Sequence, residues 1–119
     1  MARNAPSVDA YGGGGFRLSG DWHEGSVLIL EDVAQPWSAT SLKGLTPEDF
    51  AAVLSAGSLA VEFVLLGTGP TNGLPPKAVR EALAGAGIGL EFMDTPTATR
   101  TYNLLTAEGR RLAAALIAI

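Results

Sequence analysis

The densest group of polar side chains follows an apolar segment in the second half of the chain. It comprises Asp94, Thr95, Arg100, Tyr102 and Asn103, at and just beyond a predicted helix start. A helix N-terminus has free N–H groups and favours anions, and an arginine can bind a carboxylate or phosphate through two parallel hydrogen bonds. The same residue types also suit a structural role, in which Asp and Thr cap the helix, Tyr fills the core and Asn satisfies loop backbone. The pattern therefore predicts an anion-binding cluster or a structural cap.

A second group, Gly67, Thr68 and Gly69, follows a nearly continuous apolar run. Two glycines at this spacing partly match the dinucleotide-binding pattern, which requires a third glycine three residues later. Asn72 occupies that position, and Pro70 removes a backbone donor. The segment therefore does not indicate a nicotinamide site. It is typical either of a tight turn after a strand or of one wall of a crevice for a small ligand or anion.

Other sequence features give no catalytic constellation. The single histidine, His23, lies between Asp21 and Glu24 in a polar segment, where a solvated turn residue is the simpler interpretation. The glycine run Gly12–Gly15 lacks the Lys-Ser/Thr ending of a phosphate loop. The chain has no cysteine, which excludes disulfides, thiol catalysis and cysteine-based metal sites. We predict no catalytic residue, no metal site and no cofactor.

Composition narrows the class of protein. The 119 residues correspond to one domain, and we expect an N-terminal arm at residues 1–9 followed by a folded domain at residues 10–119. Eight basic against twelve acidic residues give a net charge of −4, which argues against a nucleic-acid partner. No apolar run approaches the roughly 20 residues of a membrane-spanning helix. The N-terminus lacks the apolar core of a secretory signal, so a cytoplasmic location is expected.

The first half of the chain predicts short strands. Alternation over Phe16–Leu18 and the branched apolar run Ser26–Leu30 predict a hairpin that is joined by the turn residues 20–25. A third short strand over Val33–Trp37 is placed at a sheet edge by Pro36, which cannot donate to a ladder. Trp37 becomes a candidate interface residue if it is exposed beside that proline.

The second half alternates helices and strands. A helix capped at Thr46 ends at Gly57, and further helices are predicted over 75–84 and from 95 to Gly109. The apolar segments 59–66 and 88–93 predict parallel strands that a helix connects, with a ligand crevice at their carboxyl ends. The final segment, 111–119, suits either a helix or a buried strand.

Several motifs occur in a fixed order, and together they resemble the family known as domain of unknown function 498, whose relatives include mitochondrial complex I assembly factor 3. The motifs are Gly13-Gly14-Gly15-Phe16, Ser26–Leu30, Pro36-Trp37, Leu66–Gly69, Glu91-x-Met93-Asp94-Thr95, Arg100-Thr101-Tyr102-Asn103-x-Leu105 and Glu108–Arg111. The resemblance implies an α/β fold of three layers, with a central mixed sheet of about five strands, helices on its faces and additional β-structure on one side. It also implies that residues 111–119 form a strand that runs antiparallel to the others.

The resemblance favours a non-enzymatic interaction or assembly domain with an unidentified protein partner. A homo-oligomer of this chain also stays open. The alternative is a small-molecule or anion binder, or an enzyme, that uses the crevice at Gly67–Gly69 and Asp94–Asn103. A binder should have an open pocket that contains Arg100 or Tyr102. An interaction domain should have a filled crevice and an exposed apolar patch larger than the roughly 300–600 Å² maximum of a typical monomer.

Overall fold

Eight strands in two sheets and three α-helices make up the computed structural model, which describes residues 4–119. Strands β1 (Val8–Gly12), β2 (Gly15–Leu18) and β3 (Asp21–Glu24) form an antiparallel small sheet in the order β1-β2-β3. The large sheet has the order β5-β4-β8-β6-β7. Its strands are β4 (Val27–Leu30), β5 (Val33–Pro36), β6 (Phe63–Gly67), β7 (Gly89–Met93) and β8 (Leu112–Leu116).

The small sheet corrects the hairpin that was predicted between Phe16–Leu18 and Ser26–Leu30. Strand β2 pairs instead with β3, which lies in the segment predicted as a turn. Ser19 and Gly20 alone connect these strands, with φ of 48° and 89°, the left-handed conformations that a two-residue hairpin loop requires. The chain then changes direction at Gly25, whose φ is 81°, and β4 enters the large sheet.

The N-terminal arm that was predicted over residues 1–9 overlaps the small sheet. Residues 1–3 lie outside the described residues. Val8 and Asp9 belong to β1, and Val8 is buried opposite Leu18 of β2.

The large sheet confirms the predicted mixed five-stranded sheet and the parallel pairing of the two apolar segments, because β6 and β7 are parallel neighbours. It also confirms that the C-terminal segment is a strand. The implied direction of that strand was wrong in part, since β8 is antiparallel to β4 but parallel to β6. The helix that precedes β8 returns the chain to the start of the sheet, and such a crossover makes strands parallel.

The helices confirm the predicted end at Gly57 and the start at Thr95, whereas the helix predicted over 75–84 begins at Lys77 and ends at Gly85. A 3-10 turn at Pro47–Phe50 follows a capping box between Thr46 and Asp49 and continues into α1 (Ala51–Ala56), which ends at Gly57 with φ 82°. Helices α2 (Lys77–Gly85) and α3 (Thr95–Ala107) follow, and Gly109 beyond α3 has φ 79°. The strand predicted from residue 59 begins only at Phe63, because a turn occupies residues 58–60.

Two apolar clusters, one on each face of the large sheet, hold the layers together. The α1–α2 cluster joins helix residues Val53, Val79 and Leu83 to Val64 and Leu66 of β6. The α3 cluster joins helix α3 and the small sheet to the opposite face, and it contains Phe16, Ile29, Leu65, Ala98 and Tyr102. The large sheet is therefore the middle of three layers, as the family resemblance implied.

Candidate functional site

The predicted crevice lies where β6, β7 and β8 end. The Thr68 amide donates to the carbonyl of Met93 at 2.8 Å, which ties the end of β6 to the end of β7. The Thr68 hydroxyl donates to the Thr71 carbonyl at 2.8 Å and lies 3.2 Å from the Met93 carbonyl. Thr68 is buried, so its polar atoms hold the loop after β6 rather than face solvent.

Thr95 closes this edge of the sheet. Its amide donates to the Gly69 carbonyl at 2.8 Å, and its hydroxyl accepts from the Gly69 amide at 2.9 Å. The hydroxyl donates in turn to the Ile117 carbonyl beyond β8 at 2.8 Å. Thr95 is fully buried, so this hydroxyl links the segments that follow β6 and β8 to the start of α3. The amides of Gly69 and Thr95, on which the anion prediction depended, are used within the chain.

Gly67 allows Thr95 to come this close. A Cβ atom at residue 67 would lie 2.9 Å from the Thr95 hydroxyl oxygen and 3.1 Å from a methyl group of Leu116. The Gly67 carbonyl also accepts from the Ile117 amide at 3.0 Å. The first glycine of the pattern that partly matched a dinucleotide-binding loop thus has a packing role, because it lets the start of α3 lie close against the ends of β6 and β8.

Asp94 is the N-cap of α3, as predicted. Its side chain accepts from the Thr97 amide at 2.8 Å. Hydrogen bonds from the hydroxyl and the amide of Thr97, with a smaller contribution from the Arg100 guanidinium, lower the pKa of the Asp94 carboxyl below its ordinary value of 3.8. Arg100 is exposed, and its guanidinium lies 3.5 Å from the Thr97 hydroxyl.

Tyr102 and Asn103 belong to a different surface of α3. The Tyr102 hydroxyl donates to the Pro6 carbonyl at 2.7 Å, and its ring is buried in the α3 cluster. The Asn103 amide accepts from the Val8 amide at 2.8 Å and donates to the Val8 carbonyl at 2.9 Å. The structure therefore divides the predicted polar group into residues at the crevice and residues that attach the small sheet to α3.

Trp37 is a candidate interface residue only if it is exposed, and the structure shows that it is buried. It is 7% exposed, its indole N–H donates to the Asp49 carbonyl at 2.8 Å, and its ring packs edge-on against Phe50 at 5.5 Å. The exposed tryptophan is Trp22 of β3, at 48%. Its ring covers Gly15 on the neighbouring strand, where a Cβ atom would lie 2.6 Å from it.

Two residues that organise the site were missed from the sequence. Ile117 supplies both an amide and a carbonyl to the crevice, and the buried Ser26 hydroxyl accepts from the Ala118 amide at 2.9 Å. Their partners are the Gly67 carbonyl, the Thr95 hydroxyl and the Ala118 amide. All three lie far away in the chain, and no local sequence pattern marks them. Within residues 4–119, no group of three or more His, Cys, Asp or Glu side chains is arranged to hold a metal ion. No helix in the same range has the length and apolar character needed to cross a membrane.

A family model described as protein of unknown function (DUF498/DUF598) matches residues 8–117. The chain belongs to the DUF498/DUF598 family. Residues 8–117 include every strand and helix that the structure describes within residues 4–119.

Relatives of this DUF498/DUF598 chain include an uncharacterised protein of Rhodobacter capsulatus, 38% identical over 92% of this chain and 82% of that protein. NADH dehydrogenase [ubiquinone] 1 alpha subcomplex assembly factor 3 of Mus musculus is 35% identical, and that of Homo sapiens is 32% identical. The matches cover 92% and 98% of this chain but only 59% and 62% of those two proteins. The chain thus spans about three-fifths of the length of these assembly factors.

Solved structures of similar proteins have the same fold. The crystal structure of an outer membrane protein from Bartonella henselae superposes with a TM-score of 0.88 at 37% identity, over 96% of this chain and 95% of that one. A protein from Bordetella parapertussis gives 0.86 at 29% identity, with each chain covered completely. This chain and these two bacterial proteins therefore share one fold.

Proposed function

We propose that this chain is a non-enzymatic interaction domain that acts as an assembly factor does, by holding a protein partner. Relatives that are named as complex I assembly factor 3 support this proposal, at 32–35% identity in mammals. The chain spans only about three-fifths of the length of those proteins. Their role therefore does not transfer to this chain directly, and a protein partner for it is part of the proposal.

The observation that carries the proposal is that the polar groups of the crevice are hydrogen-bonded to other parts of the chain. The Thr95 hydroxyl and the Gly69 amide are hydrogen-bonded to each other, and the Thr68 hydroxyl is bonded to its own loop. Tyr102 is buried and points away from the crevice, toward Pro6. A ligand at this place would have to compete with these bonds, which favours binding on the outer surface instead.

The exposed apolar side chains do not select between the two functions. Six large apolar side chains are exposed among the described residues, and they come from different parts of the fold: Tyr11, Trp22, Val33, Leu59, Leu74 and Leu104. Apolar side chains that are exposed singly are ordinary on a protein surface, and only a contiguous patch would indicate an interface.

Capture of partners tests the proposal. The full chain, tagged and expressed in its native cell, is isolated after mild crosslinking and analysed by mass spectrometry and size-exclusion chromatography. We expect a complex with one protein at a fixed ratio, and the measured mass also shows whether the chain forms homo-oligomers. A chain that elutes alone as a monomer, with no reproducible partner, contradicts the proposal.

The alternative function is binding of an anion or small carboxylate at the crevice, and exposed Arg100 near the start of α3 is the observation that favours it. Titration with phosphate followed by amide NMR separates the two. The interaction proposal predicts no shifts at millimolar phosphate. Shifts confined to Thr68, Gly69 and residues 95–102, lost in Arg100→Ala, would instead establish the anion site.

The proposal includes a cytoplasmic location. One similar protein is described as an outer membrane protein and another, matched over 47% of this chain, as a 13 kDa major membrane protein of Francisella tularensis. Fractionation of the native cell decides the location, and recovery of the chain in the membrane fraction would contradict the cytoplasmic assignment.

A further inference from the structure

The edges of the two sheets differ in how well they are protected against another strand. At the outer edge of β1, the Asn103 side-chain amide accepts from the Val8 N–H and donates to the Val8 carbonyl. An added strand would need these same two backbone groups. The outer edge of β5 is blocked by Pro36. The Trp37 amide donates to the Ser26 carbonyl, so the backbone groups of Trp37 face β4. Because these groups alternate in direction along a strand, those of Ala34 and Pro36 point outward. Proline has no N–H to offer an added strand.

Strand β7, at the other end of the large sheet, has no such protection. The Gly89 amide donates to the Glu62 carbonyl and the Met93 carbonyl accepts from the Thr68 amide, so these two residues face β6. Because backbone groups alternate along a strand, the N–H and C=O groups of Leu90 and Phe92 point away from the sheet. Neither residue forms a backbone hydrogen bond within residues 4–119. The β7 edge therefore presents two donors and two acceptors in the spacing of a β-ladder.

The side chains along β7 indicate which strand would fit there. Leu90 and Phe92 are half-buried and pack against the α1–α2 cluster, so an added strand would extend that apolar layer. Glu91, on the opposite face, is exposed and has no ion-pair partner among the described residues. The fourth edge, that of β3, has three ionisable side chains among its four residues, Asp21, His23 and Glu24, and charges of this kind discourage strand addition.

We propose that the β7 edge binds an extended segment of a partner protein, with apolar residues beside Leu90 and Phe92 and a lysine or arginine opposite Glu91. Main-chain hydrogen bonds supply the attachment in such strand addition, and alternate side chains supply the selectivity. This inference rests on the proposed function and names the surface and the partner chemistry that it requires.

Charge argues for a foreign basic segment over a second copy of the chain. Two copies that pair through β7 in the register Leu90 to Phe92 place Glu91 directly opposite its own counterpart, and like charges at that position destabilise a pair. Each copy also carries a net charge of −4. A basic strand removes both sources of repulsion.

A peptide titration tests the proposal. The probe is a synthetic seven-residue peptide in which three valines alternate with two lysines between threonine ends, and the control peptide has glutamates in place of the lysines. In amide NMR we expect shifts along residues 89–93 and slower hydrogen exchange at the Leu90 and Phe92 amides, with about five-fold weaker binding of the control peptide.

Charge reversal on the protein gives a matched pair of variants. Glu91→Lys alters an exposed side chain and should reverse the preference, so that the glutamate peptide binds more tightly. Glu81→Lys makes the same change of net charge on the exposed surface of α2 and should leave the preference as it is.

Two results would overturn the proposal directly: no change in the amide shifts or exchange of Leu90 and Phe92 with millimolar lysine peptide, or the same peptide preference in the two charge variants. A third is β7 shifts that depend on protein concentration alone, because the occupant would then be a second copy of the chain. The native-cell capture with Glu91→Lys separates this proposal from the proposed function. If Glu91→Lys captures as much of the partner as Glu81→Lys does, the edge assignment fails and the interaction function stands. If the unmodified chain captures no partner, the interaction function itself fails.

Discussion

The Thr95 hydroxyl lies where three chain segments meet, and its bonding explains why a polar cluster at this edge of the sheet can be structural. It accepts from Gly69 and donates to Ile117, and both bonds are buried. A buried donor or acceptor that loses its partner costs about 1–3 kcal/mol. Thr95 therefore stabilises the fold through the two backbone groups that would otherwise be left without partners.

Thr95→Val tests this role, because valine keeps the shape and removes the hydroxyl. We expect the free energy of unfolding to fall by about 2–4 kcal/mol, since two buried backbone groups lose a partner. Thr99→Val is the matched control. The Thr99 hydroxyl donates only to the Pro96 carbonyl in its own helix, and about 1 kcal/mol or less is expected. Equal losses in urea denaturation of the two variants would contradict the role of Thr95.

Asp94 gives the helix a pH-dependent cap. Its pKa in the folded state is lowered by the hydrogen bonds from Thr97, so the stabilisation is complete above the unfolded value and is lost as the pH falls through the folded value. Asp94→Asn removes the charge, and we expect the difference in unfolding free energy between the two proteins to narrow as the pH falls from 7 to about 3. Thermal or urea unfolding across this range measures it. A difference that stays constant with pH would show that the carboxylate charge does not contribute.

At the scale of elements, local chemistry allowed the sequence to predict the helices and the central strands. Thr46 and Asp94 cap helices within three residues of themselves, and Gly109 ends α3 through its own backbone angle. The hairpin partner of β2 was not predicted correctly, because the charged residues of β3 are typical of a turn. They are tolerated in a strand only because β3 lies at the edge of its sheet, and that position is set by the rest of the sheet. The bonds of Thr95 could not be predicted either, since their partners lie 26 and 22 residues away.

Strand β8 is the element on which the large sheet depends most, because it pairs with β4 on one side and β6 on the other. Deletion of residues 116–119 removes Leu116 and Ile117, which are almost completely buried, and the Ile117 amide bond to Gly67. Each large core side chain contributes roughly 2–5 kcal/mol, which is comparable with the stability of a small domain. We therefore expect the shortened chain not to fold, as measured by circular dichroism and amide NMR.

Leu104→Ala provides the control for this deletion, because it removes an apolar side chain that is 61% exposed on α3. The unfolding free energy should then change by no more than about 0.5 kcal/mol. A shortened chain that melts cooperatively near the temperature of Leu104→Ala would contradict the central position of β8.

At the scale of the whole molecule, the two sheets share one apolar cluster although no strand within residues 4–119 pairs across them. Phe16 and Leu18 of the small sheet are almost completely buried in the same cluster as Ile29 and Leu65 of the large sheet. Asn103 adds two hydrogen bonds from α3 to β1. Separation of the small sheet would expose large apolar surface on both parts, so the two sheets should unfold together.

The two tryptophans allow this cooperativity to be measured. In Trp37→Phe, fluorescence comes from Trp22 of the small sheet alone, whereas far-UV circular dichroism reports mainly on the helices that flank the large sheet. We expect the two urea transitions to coincide, as they do for a two-state domain. Asn103→Ala in this background should move both transitions together to lower urea, because the Val8 backbone loses its partners in a molecule that still unfolds as one unit. Trp22 fluorescence that changes well before the helical signal would instead show that the small sheet is an independent folding unit, attached to the large sheet without sharing its stability.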